Sequence, residues 1–272
     1  MLIYDIRLLG GYTPSKKTRN IYPKNEDGNM KISLIIPMYN ESSIINDAIE
    51  TFGSYMKDHF EDWELIFVDD GSVDGCGAPV LAAHEKDERI KLISYQPNRG
   101  KGYAVRQGML AASGDISVFT DCDNAYGTDV IGKIYDMFCE NENADIIVGS
   151  RNMDKTGYDG YTFVRRFASK TYIKVINIVA GFGKYGLSDS QCGFKGFRTY
   201  ASKKIFANCE VDRFAFDLEA IMIAGKCGFC FAQMPVKIIN HRESKVNVLR
   251  DSFKMLSDVR KMKKRIKKLE IK

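Results

Sequence analysis

From Lys31 onward, apolar residues gather in short blocks at 32–37, 64–69, 90–95, 115–120 and 144–149, separated by longer mixed segments. Apolar blocks of this length bounded by Gly, Pro, Asn and Asp read as buried strands, and the segments between them are long enough for helices. Strict alternation of the two predicts βαβ units, hence an α/β domain with a Rossmann-like, mostly parallel sheet flanked by helices. After Arg151 the rhythm breaks. Residues 163–181 read as an amphipathic helix, Asp189 to Phe197 as a loop entering a strand, and 215–226 as a buried helix. Val236-Lys237-Ile238-Ile239 reads as a strand and 248–269 as a long final helix. Residues 1–30 are polar after a short apolar start and contain Pro14 and Pro23, which suggests an arm. The expected organisation is thus an arm over 1–30, one domain over 31–247, and a basic amphipathic helix over 248–272.

Composition narrows the class. The chain has 272 residues, 44% hydrophobic and 28% charged, as in a globular protein with an ordinary core. No apolar run reaches the roughly 18 to 20 residues of a membrane-spanning helix, and the start is a poor signal peptide, so a cytoplasmic location is expected. Seven scattered cysteines make no disulfide framework. Cys227-Gly-Phe-Cys230 has metal or redox spacing but no second pair nearby, so structural thiols are the simpler reading. The net charge of +5 is concentrated in the tail, where residues 250–272 hold ten Lys or Arg against three acids. Leu249, Phe253, Leu256, Val259, Ile266 and Leu269 share roughly one helical face there. Such a helix binds an anionic membrane surface or packs on the domain with a solvated outer face. One division of labour is that its first half docks and 260–272 meets lipid headgroups. Nucleic acid is not an expected partner.

Ligands of parallel sheets bind at the carboxyl ends of strands, and there the chain places its chemistry. Asp69-Asp70 ends the second block and Asp121-Cys122-Asp123 follows the fourth. On an extended segment, residues two apart point the same way, so Asp121 and Asp123 suit one hard divalent cation, and such a cation suits a diphosphate. Pro37-Met-Tyr-Asn-Glu41 ends the first block, with a helix expected from near Ser42. Taken alone that segment reads as a plain strand-to-helix turn; beside Asp69-Asp70 it also offers Tyr39 to stack on a base, with Glu41 and Asp69 to accept its donor groups. Asn98-Arg-Gly-Lys-Gly102 opens the third helix. Its glycines and helix amino end favour an anion, although the segment also reads as an ordinary Gly turn and lacks P-loop spacing.

Pro37-Met-Tyr-Asn-Glu41, Val68-Asp-Asp-Gly-Ser72, Asn98-Arg-Gly-Lys-Gly102, Asp121-Cys-Asp123 and Gly149-Ser-Arg151, in this order, resemble the inverting glycosyltransferases of family 2 with the glycosyltransferase A fold. Asp189-Ser-Gln-Cys-Gly-Phe-Lys195, Phe214-Ala-Phe-Asp-Leu-Glu219 and Glu243-Ser-Lys245 are similar to dolichyl-phosphate β-glucosyltransferases and, more distantly, to dolichyl-phosphate mannose synthases. The resemblance implies hexose transfer from a nucleotide donor, UDP-glucose foremost, to a polyprenyl phosphate at the cytosolic face of a membrane, assisted by Mg2+ or Mn2+. Pro37, Tyr39, Glu41, Asp69, Asp70 and Lys101 would then serve the nucleotide, with Asp121 and Asp123 on ribose, diphosphate and metal. Of the cations Arg151, Arg165, Arg166, Lys195, Arg242 and Lys245, Arg151 and one of Arg165 and Arg166 would clamp the acceptor phosphate with Lys245 nearby, and Asp189 and Gln191 would face the sugar. Mannose synthases commonly carry a Gln two residues past the second Asp. Ala125 stands here, so a third metal ligand is unassigned.

A phosphate acceptor is already ionised, so no general base is required. The task is to bring a second anion against a diphosphate, which positioned cations and a metal ease. The rivals are a family 2 enzyme acting on a sugar hydroxyl, for which Asp189 or another carboxylate would be the base, a mannose synthase using GDP-mannose, and a non-catalytic nucleotide-sugar-binding module.

Overall fold

The computed structural model describes residues 29–153, 156, 163–240 and 248–271; within 163–172 and 248–257 most side chains lie outside the description. Seven strands form one sheet: β1 (Ile32–Met38), β2 (Trp63–Asp69), β3 (Ile90–Ser94), β4 (Ile116–Phe119), β5 (Ile146–Ser150), β6 (Lys195–Arg198) and β7 (Phe231–Pro235). Their order is β3-β2-β1-β4-β6-β5-β7. All neighbours are parallel except β6, which runs antiparallel between β4 and β5. The α/β class and mostly parallel sheet expected from the sequence are therefore present.

Alternate residues of the central strands feed two cores. Leu34, Ile36, Leu65 and Phe67 face α1 (Ile45–His59), α2 (Gly77–His84) and α4 (Asp129–Glu140). Ile35, Ile66 and Val68 face the opposite layer of α3 (Lys101–Ala111), α5 (Phe163–Ala180), α6 (Thr199–Phe206) and α7 (Phe216–Cys227). This period of two explains why the strands read as continuous apolar runs: both faces are covered. The chain steps outward from β1 to β3, then returns through α3 to β4 on the far side of β1. The order reverses between β1 and β4, and a crevice for ligands opens at such a switch point. The residues after β1 and after β4 are the motifs ending in Glu41 and Asp123.

Two expectations are corrected. The strand read at 236–239 lies at Phe231–Pro235, paired with Ile146–Ser150. Residues 236–240 leave the sheet instead, and Ile239 N–H donates to the Ala125 carbonyl at 2.8 Å. The helix expected near Ser42 begins at Ile45, because the Ser42 N–H donates across the edge to Asp74 at 2.8 Å. The tail is the expected helix, α8 (Val248–Lys268); docking by its first half concerns side chains outside the described residues, and its second half docks. Val259, Met262 and Ile266 are buried among α5 and α7 side chains. Arg265 bridges Glu219 on α7 at 2.5 Å and Glu210 at 2.9 Å, and Lys226 donates to the Ile266 carbonyl at 2.7 Å. The outward positions Arg260, Lys261, Lys263, Lys264, Lys267 and Lys268 remain exposed.

The arm expected over 1–30 lies outside the described residues up to 28. Met30 already belongs to the body: it is buried and exchanges backbone hydrogen bonds with the Tyr135 hydroxyl at 3.0 and 3.1 Å. None of the seven cysteines is in a disulfide, Cys227 and Cys230 included. No described helix is long and apolar enough to cross a membrane.

Candidate active site

At the β1 end, Pro37 sits in the sheet beside Val68. Tyr39 projects into solvent with 47% of its surface exposed, and Glu41 is half-buried. Asn40 takes a positive φ of 52° to turn the chain. Its side chain accepts from Val73 N–H while its own N–H donates to Ser72 Oγ, tying the loops after β1 and β2 together.

The two aspartates ending β2 divide their work. Asp69 accepts from Ser72 N–H at 2.9 Å and Ser94 Oγ at 3.2 Å. Asp70 accepts from the Tyr95 hydroxyl, the Asn98 amide and the N–H groups of Arg99 and Gly100, all within 2.9 Å. Four donors leave little of that carboxylate for a ligand; it fixes the loop that launches α3 and so positions Lys101. Gly71 lets these loops meet, since its φ is +71° and a Cβ there would lie 2.5 Å from Asn98 N.

Lys101, first residue of α3, forms an ion pair with Asp121. Burial opposes the ammonium's charge, and the adjacent Asp121 more than compensates, raising its pKa above the ordinary value. Asp121 and Asp123 lie on a turn rather than on an extension of β4: Asn124 N–H donates back to the Asp121 carbonyl at 3.2 Å, and Asn124 has a φ of 49°. The alternation used to pair them therefore does not apply, and the turn is what keeps them adjacent. The Asn240 side chain donates to the carbonyls of Asp123 and Asn124 at 3.2 and 3.1 Å, so the chain leading toward Lys245 departs from beside this turn.

The Asp189–Lys195 segment closes over the same turn. A Cβ on Gly193 would stand 2.5 Å from Asp121 Oδ2, so only glycine admits the approach. Gly193 N–H donates to the Tyr126 hydroxyl at 3.0 Å. Burial pushes the Tyr126 phenol well above its usual pKa and the Cys192 thiol to about 11, so Cys192 is no nucleophile. Beneath the segment, Lys195 is fully buried and donates to the Cys192 carbonyl at 2.5 Å and to Asp217 at 2.8 Å. Burial raises the Asp217 pKa despite Lys195 and Lys101 nearby.

Arg151 and Asp189 meet in a bidentate pair, Nε–Oδ2 at 2.7 Å and Nη2–Oδ1 at 3.0 Å, with Arg151 N–H also donating to Oδ2 at 3.2 Å. Asp189 is wholly buried. Burial works against the Arg151 charge, but the facing carboxylate outweighs it and holds the guanidinium well above its ordinary pKa. Gln191 lies in the turn between Asp189 and Gly193, half-buried. Arg165 and Arg166 fall in the first turn of α5, with side chains outside the described residues, and Lys245 and Arg242 lie outside them altogether.

One edge of the sheet thus gathers Tyr39, Glu41, Asp69, Lys101, Asp121, Asp123, Gln191, Arg151 and Asp189. Lys195, one of the candidate cations, is held by Asp217; Tyr126, Gly193 and Asp217 belong with the site and carried no assigned role from sequence, Asp217 and Gly193 standing inside quoted motifs and Tyr126 having no signal beyond closeness to Asp123. Among the described residues no group of three or more His, Cys, Asp or Glu converges. Two carboxylates still fit Mg2+ or Mn2+, which retain waters and take substrate phosphates as further ligands. Asp121 moreover already faces a positive group.

The Glycosyl transferase family 2 profile matches residues 33–206. A dolichyl-phosphate beta-glucosyltransferase of Trichomonas vaginalis is 31% identical over 244 residues, 82% of this chain and 73% of that protein. The enzyme of the same name from Dictyostelium discoideum is 29% identical, over 87% and 75%. Among solved structures, glucosyl-3-phosphoglycerate synthase of Mycobacterium tuberculosis in complex with Mn2+, UDP and glucosyl-3-phosphoglycerate superposes with a TM-score of 0.62 at 17% identity, over 86% of this chain and 78% of that one, a likeness of fold. The sheet order, the acidic turn at its switch point and the profile match together place this chain in glycosyltransferase family 2, and it is a glycosyltransferase.

Proposed function

We propose that the protein transfers a hexose, glucose foremost, from a UDP-sugar to a polyprenyl phosphate with inversion. The observation that carries this reading is the state of Asp189. A hydroxyl acceptor needs a carboxylate base, and Asp189, the first candidate for it, has both oxygens taken by Arg151. A phosphate acceptor needs no base; it needs a cation held ready, and Arg151 oriented by a buried aspartate is one. The names of the related dolichyl-phosphate beta-glucosyltransferases support the same acceptor and sugar.

Tyr39 covers the base, Glu41 and Asp69 meet base and ribose, and Asp121 with Asp123 would hold Mg2+ or Mn2+. The metal, when bound, stabilises negative charge on the departing diphosphate. Arg151, joined by Arg165 or Arg166 and by Lys245, receives the acceptor phosphate. An acceptor oxygen bonds to the anomeric carbon from the face opposite the diphosphate. The bond from that carbon to the β-phosphate oxygen breaks, and its electron pair leaves with UDP. Attack from opposite the leaving group gives the β-linked product from an α-linked donor. The exposed Lys and Arg of α8 then rest on anionic headgroups at the cytosolic face, where the acceptor resides. Release of UDP or GDP across a panel of nucleotide sugars, with polyprenyl phosphate and Mn2+, tests the reading: UDP-glucose should lead, and release dependent only on an oligosaccharide would overturn it.

A further inference from the structure

The Lys101–Asp121 ion pair occupies the carboxylate that the proposed reaction needs for its metal. Lys101 Nζ has Asp121 as its hydrogen-bonded acceptor, and it lies near Asp217, whose carboxylate is taken by Lys195 at 2.8 Å. The other Asp121 oxygen is backed by the main chain of Gly193. A cation entering this turn therefore meets a carboxylate already neutralised. Lysine suits such a post, being a point charge on a flexible four-carbon stem. Lys101 heads a helix whose start is fixed by Asp70, so its backbone stays in place while its ammonium swings.

We infer that Lys101 is a resident counter-ion that competes with the divalent metal for Asp121 and passes to the donor diphosphate when metal and nucleotide enter together. This deepens the proposed function and rests on Asp121 being a metal ligand. Without donor, the metal must displace an ammonium whose neighbouring carboxylate, Asp217, is already held by Lys195, so metal alone binds poorly. With donor, the diphosphate supplies that anion, and each ligand strengthens the other. Linkage makes the effect reciprocal: the factor by which UDP tightens Mn2+ equals the factor by which Mn2+ tightens UDP. The device keeps the acidic turn from being loaded unproductively by a free ion.

The test is Mn2+ binding followed by electron paramagnetic resonance, with and without UDP, on the full chain and on Lys101→Gln and Lys101→Arg. Wild type should bind Mn2+ weakly alone and more tightly with UDP. Lys101→Gln should bind Mn2+ alone roughly fivefold tighter, as expected for losing a part-exposed ion pair, with a smaller gain on adding UDP. Lys101→Arg, which keeps the charge, should stay close to wild type. Equal or weaker Mn2+ binding by Lys101→Gln, beside a wild type that does bind Mn2+ with UDP, would overturn the competition and leave the donor site standing. Failure of wild type to bind Mn2+ even with UDP would remove both.

Discussion

Asp189→Asn probes the acceptor side most sharply, because the substitution keeps the side-chain shape and removes one charge. Asp189 is fully buried, and its two oxygens accept three hydrogen bonds from Arg151, whose side chain is only 12% exposed. Asparagine offers one acceptor oxygen and turns an NH2 group toward the guanidinium. It leaves a nearly buried cation without its counter-charge, which costs about 3 to 5 kcal/mol. At about 2 to 4 °C per kcal/mol for a domain near this size, melting should fall by roughly 6 to 20 °C. Removing both charges, as Arg151→Met with Asp189→Asn, should recover at least half of that loss, since the isolated charge is the dominant penalty. Thermal denaturation of the four proteins in the cycle reads this directly. If Asp189 were a base for a hydroxyl acceptor, the single variant would lose turnover while keeping its melting temperature. Melting unchanged in Asp189→Asn, or a double variant no better than the single, would refute the positioning role.

Asp123→Asn should abolish metal-dependent donor binding with the fold intact, measured by UDP calorimetry with and without Mn2+; unchanged affinity would remove that carboxylate from the metal. Gly193→Ala should weaken Mn2+ and UDP binding together, because its Cβ would meet Asp121 Oδ2 at 2.5 Å; wild-type affinity would show that the segment gives way. Glu64 is almost wholly buried, and although burial alone would raise its pKa, hydrogen bonds from Lys91, Ser33 and Ser113 lower it to about 2. A folded pKa below the unfolded one stabilises fully above about pH 4.5, and the contribution, about 3 kcal/mol, fades as pH falls toward 2. Denaturant titrations between pH 6 and pH 2.5 should therefore show a shallower acid decline in Glu64→Gln, and an identical slope would be the contrary result. Reversing Lys261, Lys264 and Lys268 to Glu should reduce binding to anionic vesicles without lowering the melting temperature, because all three are exposed. Deleting 260–272 is the poorer probe, since Met262, Arg265 and Ile266 hold the body together.

Much of this was legible because the signals were local. The apolar blocks locate the first five strands to within two residues, since burial on both faces leaves few polar positions, such as Ser33 and Glu64, to blur them. The acidic turn was found through its residue types, although the reason for its pairing is Asn124 rather than strand alternation. What stayed hidden depends on long-range contact. Nothing near Asp189 in sequence says that Arg151, on a distant strand end, takes both its oxygens. The Val236–Ile239 run is as β-prone as Phe231–Pro235, and it is the pairing of the latter with the distant Ile146–Ser150, with Ser188 N–H and hydroxyl on Gln233 at 2.7 and 2.8 Å, that selects it for the sheet. Likewise the tail's apolar stripe fixes one docking face without saying which half is seen to dock.

The decisive measurement is product formation by the purified full chain given UDP-glucose, polyprenyl phosphate and Mn2+, with the anomeric configuration of any lipid-linked sugar determined by NMR. A β-linked glucosyl phospholipid, formed in proportion to UDP released, is the expected result. No sugar on the lipid phosphate, with transfer instead to an oligosaccharide hydroxyl, would contradict it.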